Sequence, residues 1–170
     1  MTTRAPPLRP SIYLDPSVIE DAIHGRMRPR DRAAVWRLAA MVSEEVLFFY
    51  CPSEARAAIE QATSEQRTRL GREYAALQVL RDAKHGWLGE GAEEDVEQSP
   101  DFRALADLLE NARNARRVLQ AKSAGVRDLV AAESSALVHR AVELEARTGL
   151  RIFRPADYLS RWSTQQQLPG

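Results

Sequence analysis

Cysteine is almost missing: Cys51 is the one example in 170 residues, so no disulfide can form within the chain. Its apolar neighbours Phe49 and Tyr50 mark it as a packed thiol rather than a nucleophile. Long apolar runs are missing too. Nothing approaches the roughly 20 residues of a transmembrane helix, and the opening MTTRAPPLRP lacks a signal peptide's apolar core. The expectation is a cytoplasmic protein with no membrane partner. Excess charge of either sign is also absent. Lys+Arg and Asp+Glu both number 24, so no whole-molecule field draws the chain to nucleic acid, and any such binding must come from a local patch. The histidines His24, His85 and His139 are scattered, without the i, i+4 pairing of a zincin or a partnering cysteine cluster, so zinc is a poor fit. Serine hydrolysis lacks its G-x-S-x-G elbow, and nucleotide hydrolysis lacks a G-x-x-x-x-G-K-[ST] loop. No repeat or low-complexity tract appears.

What is present suits one compact domain over residues 1–170, with 1–10 as a flexible N-terminus: 44% of the residues are hydrophobic and 28% charged. Helical periodicity dominates, broken by β-rich runs: SIYL from Ser11, VLFFYC over Val46 to Cys51, VRDLVAA over Val126 to Ala132, and LRIF over Leu150 to Phe153. Between them lie amphipathic helices, one with the apolar stripe Val35, Leu38, Ala39 and Val42, the next with Ala55, Ala58, Ile59 and Ala62. Strands separated by helices imply right-handed crossovers, and the fold class expected is α/β: a three-layer α/β/α arrangement around a central parallel sheet. The middle reads as wholly helical, a polar helix over about 64–83 and another over about 100–124, joined by an exposed loop over 84–100. Gly86, Gly89 and Gly91 do not make a phosphate cradle there, because no strand precedes them and the acids Glu90, Glu93, Glu94 and Asp95 follow. Gly125 and Gly149 end helices, and Pro155 starts the last one.

Placing the strands brings out the acids at their carboxyl ends. Asp15 closes the first strand and is followed by Pro16; Glu133 closes the third, in DLVAAESS. In a parallel sheet both point to one edge, where open α/β sheets bind ligands. Converging carboxylates are hard oxygen ligands suited to Mg²⁺ or Mn²⁺. A plainer reading stands beside this one. Asp15 before Pro16 is also a good helix N-cap, and Glu133 a first-turn acid favoured by a helix dipole. Asn111 and Asn114 read as polar residues at a stripe edge. Arg26, Arg28, Arg30 and Arg32, with Arg113, Arg116 and Arg117, read as solvated faces able to hold phosphates near the acid edge.

Three stretches carry a likeness to a known family. SIYLDPSVIEDAI, NARRVLQAKSAGVRDLVAAE and RTGLRIFRPADYL together resemble the PIN domains, small Mg²⁺- or Mn²⁺-dependent ribonucleases that include many bacterial toxins. The resemblance implies that Asp15 is the first acid and that Glu133, eight residues after Gly125, stands for the last. Asn114, eleven residues before Gly125, falls where the family has its third acid, and Ala131 where a Thr or Ser usually helps hold the metal. The second acid belongs where Ala57 and Ala58 stand. Glu54, one turn earlier on nearly the same side of that helix, is its substitute, since Glu60 projects to the opposite face. The family reading thus makes Asp15, Glu133, Glu54 and Asn114 the catalytic set, with the metal on Asp15 and Glu133. RNA is then the substrate, an antitoxin protein a partner and a homodimer the assembly. Its alternative is a PIN-like module that has lost catalysis and serves in binding or structure.

Overall fold

The computed structural model describes residues 9–89 and 92–167. Along the chain run β1 (Ser11–Leu14), α1 (Pro16–Ile23), α2 (Pro29–Ser43), β2 (Phe48–Pro52), α3 (Ser53–Glu60), α4 (Ser64–Leu70), α5 (Arg72–Arg81) and β3 (Trp87–Leu88). Then follow α6 (Ala92–Glu97), α7 (Phe102–Leu109), α8 (Ala112–Ser123), β4 (Asp128–Val130), α9 (Ala136–His139), α10 (Ala141–Thr148), β5 (Arg151–Phe153) and α11 (Pro155–Gln167). The strands form one five-stranded sheet in the order β3-β2-β1-β4-β5, and every described pairing is parallel. Register is fixed by pairs such as Ile12 with Phe49 and Leu14 with Val130.

The pleat divides the core in two. Ile12 and Leu14 face one layer of helices with Phe49, Cys51 and Val130, packing on Val18 and Ile19 of α1, Leu38 and Met41 of α2, and Leu77 and Leu80 of α5. Tyr13 and Leu129 face the opposite layer, against Leu105 of α7, Val118 and Leu119 of α8 and Leu144 of α10. Burial on both faces explains why SIYL is apolar throughout rather than alternating. This is the three-layer α/β/α fold expected from the sequence. Among the described residues no helix is long and apolar enough to cross a membrane.

The middle departs from expectation in three places. The 64–83 helix is two, α4 and α5, broken at Gly71, whose φ of 54° lies in the left-handed region. The 100–124 helix is also two. It breaks at Glu110, φ 52°, and α8 restarts with Asn111 as its N-cap, whose Oδ1 accepts from the Asn114 N–H at 3.1 Å. The pair Asn111 and Asn114 is therefore a helix start. The exposed loop expected over 84–100 instead supplies the edge strand β3 and the short helix α6. Trp87 is drawn in by an edge-to-face contact with Phe49, ring centroids 5.3 Å apart, and donates its indole N–H to the Leu80 carbonyl at 3.2 Å. Gly86 permits that docking, since it sits at φ +106° with its carbonyl accepting from the Cys51 N–H at 2.9 Å. Of the N-terminus expected to be flexible, residues 1–8 lie outside the described residues.

Candidate functional site

Parallel strands aim their carboxyl ends at one edge, so the segments after β1, β2 and β4 gather there. Asp15 follows β1 directly. Its N–H donates to the Val130 carbonyl at 2.8 Å, pinning it against the end of β4, and its φ of −69° and ψ of 138° turn the chain into Pro16. Oδ2 accepts from the Ser17 N–H at 3.0 Å, so Asp15 does cap α1. Ser17 in turn accepts at Oγ from the Ala132 N–H at 3.1 Å, tying the start of α1 to the segment that carries Glu133. Asp15 is 0% exposed. A cap has no need of such burial, and Oδ1 is left over from the capping.

The cation that faces Oδ1 is a side chain. Arg117 of α8 is 6% exposed, brings Nη1 to 3.5 Å from Asp15 Oδ1, and donates from Nη2 to Glu54 Oε1 at 3.1 Å. Glu54 lies in the first turn of α3, just after β2. Arg113, one turn before Arg117 on the same helix, approaches Glu54 Oε2 at 3.7 Å from a more exposed position. Burial by itself would lower the Arg117 pKa, but the charges of Asp15 and Glu54 outweigh it and raise the guanidinium above its ordinary value. Cys51, at the end of β2, reports the same neighbourhood. Burial pushes its thiol well above 9.0, the Asp15 charge adds to the rise, and Arg117 opposes it.

Glu133 sits on the same sheet edge but has other partners. Its Oε2 meets Arg28 Nε at 2.6 Å and its Oε1 meets Arg154 Nη1 at 3.5 Å, while Arg154 also donates to Asp157 Oδ2 at 2.8 Å. It lines a cavity of about 310 Å³ with Arg26, Arg28, His139 and Ser134, next to the switch between β1 and β4. Asn114 is 9% exposed on α8, three residues before Arg117 and thus on the same face. The structure therefore joins Asp15 to Glu54 through Arg117 and leaves Glu133 with a separate pair of arginines.

This donor set does not fit Mg²⁺ or Mn²⁺. A hard divalent cation needs oxygen ligands carrying net negative charge, and each carboxylate here already bears a guanidinium. No group of three or more His, Cys, Asp or Glu side chains able to hold a metal occurs among the described residues. Sequence reasoning missed Arg117, reading it with Arg113 and Arg116 as a solvated face. The overlooked signal is spacing: Asn114, Arg117 and Gln120 recur every three residues beside Ala115, Val118 and Ala121, which places them on the inward stripe of α8. Gln120 Oε1 indeed accepts from the Tyr13 hydroxyl at 2.7 Å, over the middle of β1.

Comparisons with models of protein families, with curated proteins and with solved structures found no match to this chain.

Proposed function

We propose that this protein is a PIN-like module that binds RNA in the cytoplasm without hydrolysing it. The observation that carries this reading is the Arg117 guanidinium reaching both Asp15 and Glu54, the acids that a nuclease of this type would turn toward a metal. An arginine is permanently charged and covalently tethered, so it offsets one of the two negative charges at any physiological metal concentration, and Arg113 stands against Glu54 for the second. Binding to the phosphate backbone needs only cationic donors at the rim. Arg26, Arg28 and Arg113 supply them, with side chains 60%, 64% and 59% exposed. Ion pairs this exposed are loosely held and can exchange a carboxylate for a phosphate.

The second reading is a Mg²⁺- or Mn²⁺-dependent ribonuclease. On its side stands Asp15 Oδ1, a buried carboxylate oxygen without a hydrogen-bond partner among the described residues. One assay divides the two: fluorescence anisotropy of a labelled single-stranded oligoribonucleotide, followed by gel analysis of the same samples after incubation with Mn²⁺. The expected result is binding without cleavage, weakened by added KCl, with Arg28→Ala and Arg113→Ala each lowering affinity for all sequences alike. Mn²⁺-dependent cleavage abolished by Asp15→Asn would establish the ribonuclease instead. Failure to bind RNA at low salt would remove RNA as the partner and leave a protein, such as an antitoxin, in its place.

A further inference from the structure

The contact between Asp15 and Arg117 is an imperfect one. Both side chains are enclosed, yet Asp15 Oδ1 and Arg117 Nε are buried atoms with no hydrogen-bond partner among the described residues. A charge-assisted N–H···O⁻ bond closes to about 2.8 Å, whereas Nη1 stops at 3.5 Å from Oδ1. The fork is planar and anchored on α8, and its Nη2 is committed to Glu54 at 3.1 Å. It is near enough to neutralise Asp15 but not placed to satisfy it. Leaving a buried carboxylate oxygen without a donor is costly, so the arrangement is held by the fold rather than optimised for a guanidinium.

From this we infer that Arg117 is the resident cation of a latent divalent-metal site, standing between Asp15 and Glu54 and closing the site to free metal ions. This rests on the reading that the acidic cleft carries its cation within the chain. Removing the guanidinium leaves two carboxylates, one wholly buried and one 37% exposed, turned toward a vacated space, with the more distant Arg113 offsetting Glu54 in part. Carboxylate oxygens with water filling the remaining positions are the ligands that Mn²⁺ accepts.

The test is Mn²⁺ titration of the full chain, followed by the electron paramagnetic resonance signal of free Mn²⁺ and by thermal melting. Wild type is expected to leave the signal unchanged at millimolar metal. Arg117→Ala is expected to bind at least about tenfold more tightly than wild type and to gain a few degrees in Tm when Mn²⁺ is added, as linkage requires. Adding Asp15→Asn to Arg117→Ala should abolish both effects. A folded Arg117→Ala that binds no more Mn²⁺ than wild type overturns the inference, as does a wild type that binds Mn²⁺ as well as the variant. Should Arg117→Ala and Arg117→Gln both fail to fold without metal, refolding in millimolar Mn²⁺ must restore their far-UV circular dichroism; no recovery also overturns it. The outcome is separable from RNA binding. Wild type can bind RNA while the variant ignores Mn²⁺, or the variant can take Mn²⁺ while wild type ignores RNA.

Discussion

Asp15 does two jobs with its two oxygens: Oδ2 caps α1 and Oδ1 faces Arg117. The jobs separate by substitution. Asn is also a preferred cap, so Asp15→Asn keeps the bond to the Ser17 N–H while removing the charge that faces Arg117. Stripping one partner from a buried ion pair costs about 3 kcal/mol, because the remaining charge stays buried. The expected result is a Tm lower by about 6–12 °C for Asp15→Asn, measured by calorimetry. Arg117→Met should cost a similar amount alone, whereas Asp15→Asn with Arg117→Met together should cost clearly less than the sum, since the second substitution removes the charge that the first leaves buried and unpaired. Simple additivity would mean that the two residues are not coupled.

At the scale of elements, the fold depends on a few contacts that no periodicity advertises. Gly86 is one. A Cβ there would lie 2.2 Å from the Phe49 carbonyl oxygen and would also have to adopt φ +106°. Gly86→Ala should therefore detach β3 from β2, read as rapid amide exchange at Cys51, whose N–H bonds to the Gly86 carbonyl, while β1 and β4 stay protected. Asp31 is another. It is buried in the first turn of α2, yet its Oδ1 accepts from the Ala156 N–H at 3.0 Å and so caps the start of α11 from a distant part of the chain. Asp31→Ala is expected to lower stability by about 1 kcal/mol, or about 3 °C in Tm. Asp31→Asn should recover most of that. If the two variants melt alike, the cap contributes nothing.

The whole molecule carries a pH signature. Burial raises the Cys51 thiol well above 9.0 and the Tyr158 hydroxyl from 10.0 to about 12, so the native state holds protons that the unfolded chain releases earlier. For acids raised in the native state, the stabilisation is complete below the unfolded pKa and is lost as pH climbs toward the native one. Unfolding free energy is expected to fall from about pH 9 upward, with the Tyr158 share falling between pH 10 and about pH 12. Urea titrations at stepped pH check this, and Tyr158→Phe should flatten the upper part of the decline. An unchanged slope in that variant would show that the hydroxyl is not shielded as its burial implies.

Much of this was legible in the residues. The runs SIYL and VLFFYC and the helices around them announced a parallel sheet with a layer on each face, because hydrophobic periodicity is local and survives without tertiary information. Asp15 before Pro16 announced both a strand end and a cap. The break at Gly71 had a local signal, the glycine itself, that the long periodic run masked, whereas the strand at Trp87–Leu88 was not legible, since it depends on Trp87 docking against Phe49. The same limit governs the site. Sequence alone put acids on one edge of the sheet, but an arginine's charge looks alike in water and in a core. Only the packing of α8 across β1 decided that Arg117 points inward, between Asp15 and Glu54. Chain order sets which faces are apolar, whereas the pairing of charges is set by which helices the fold brings together.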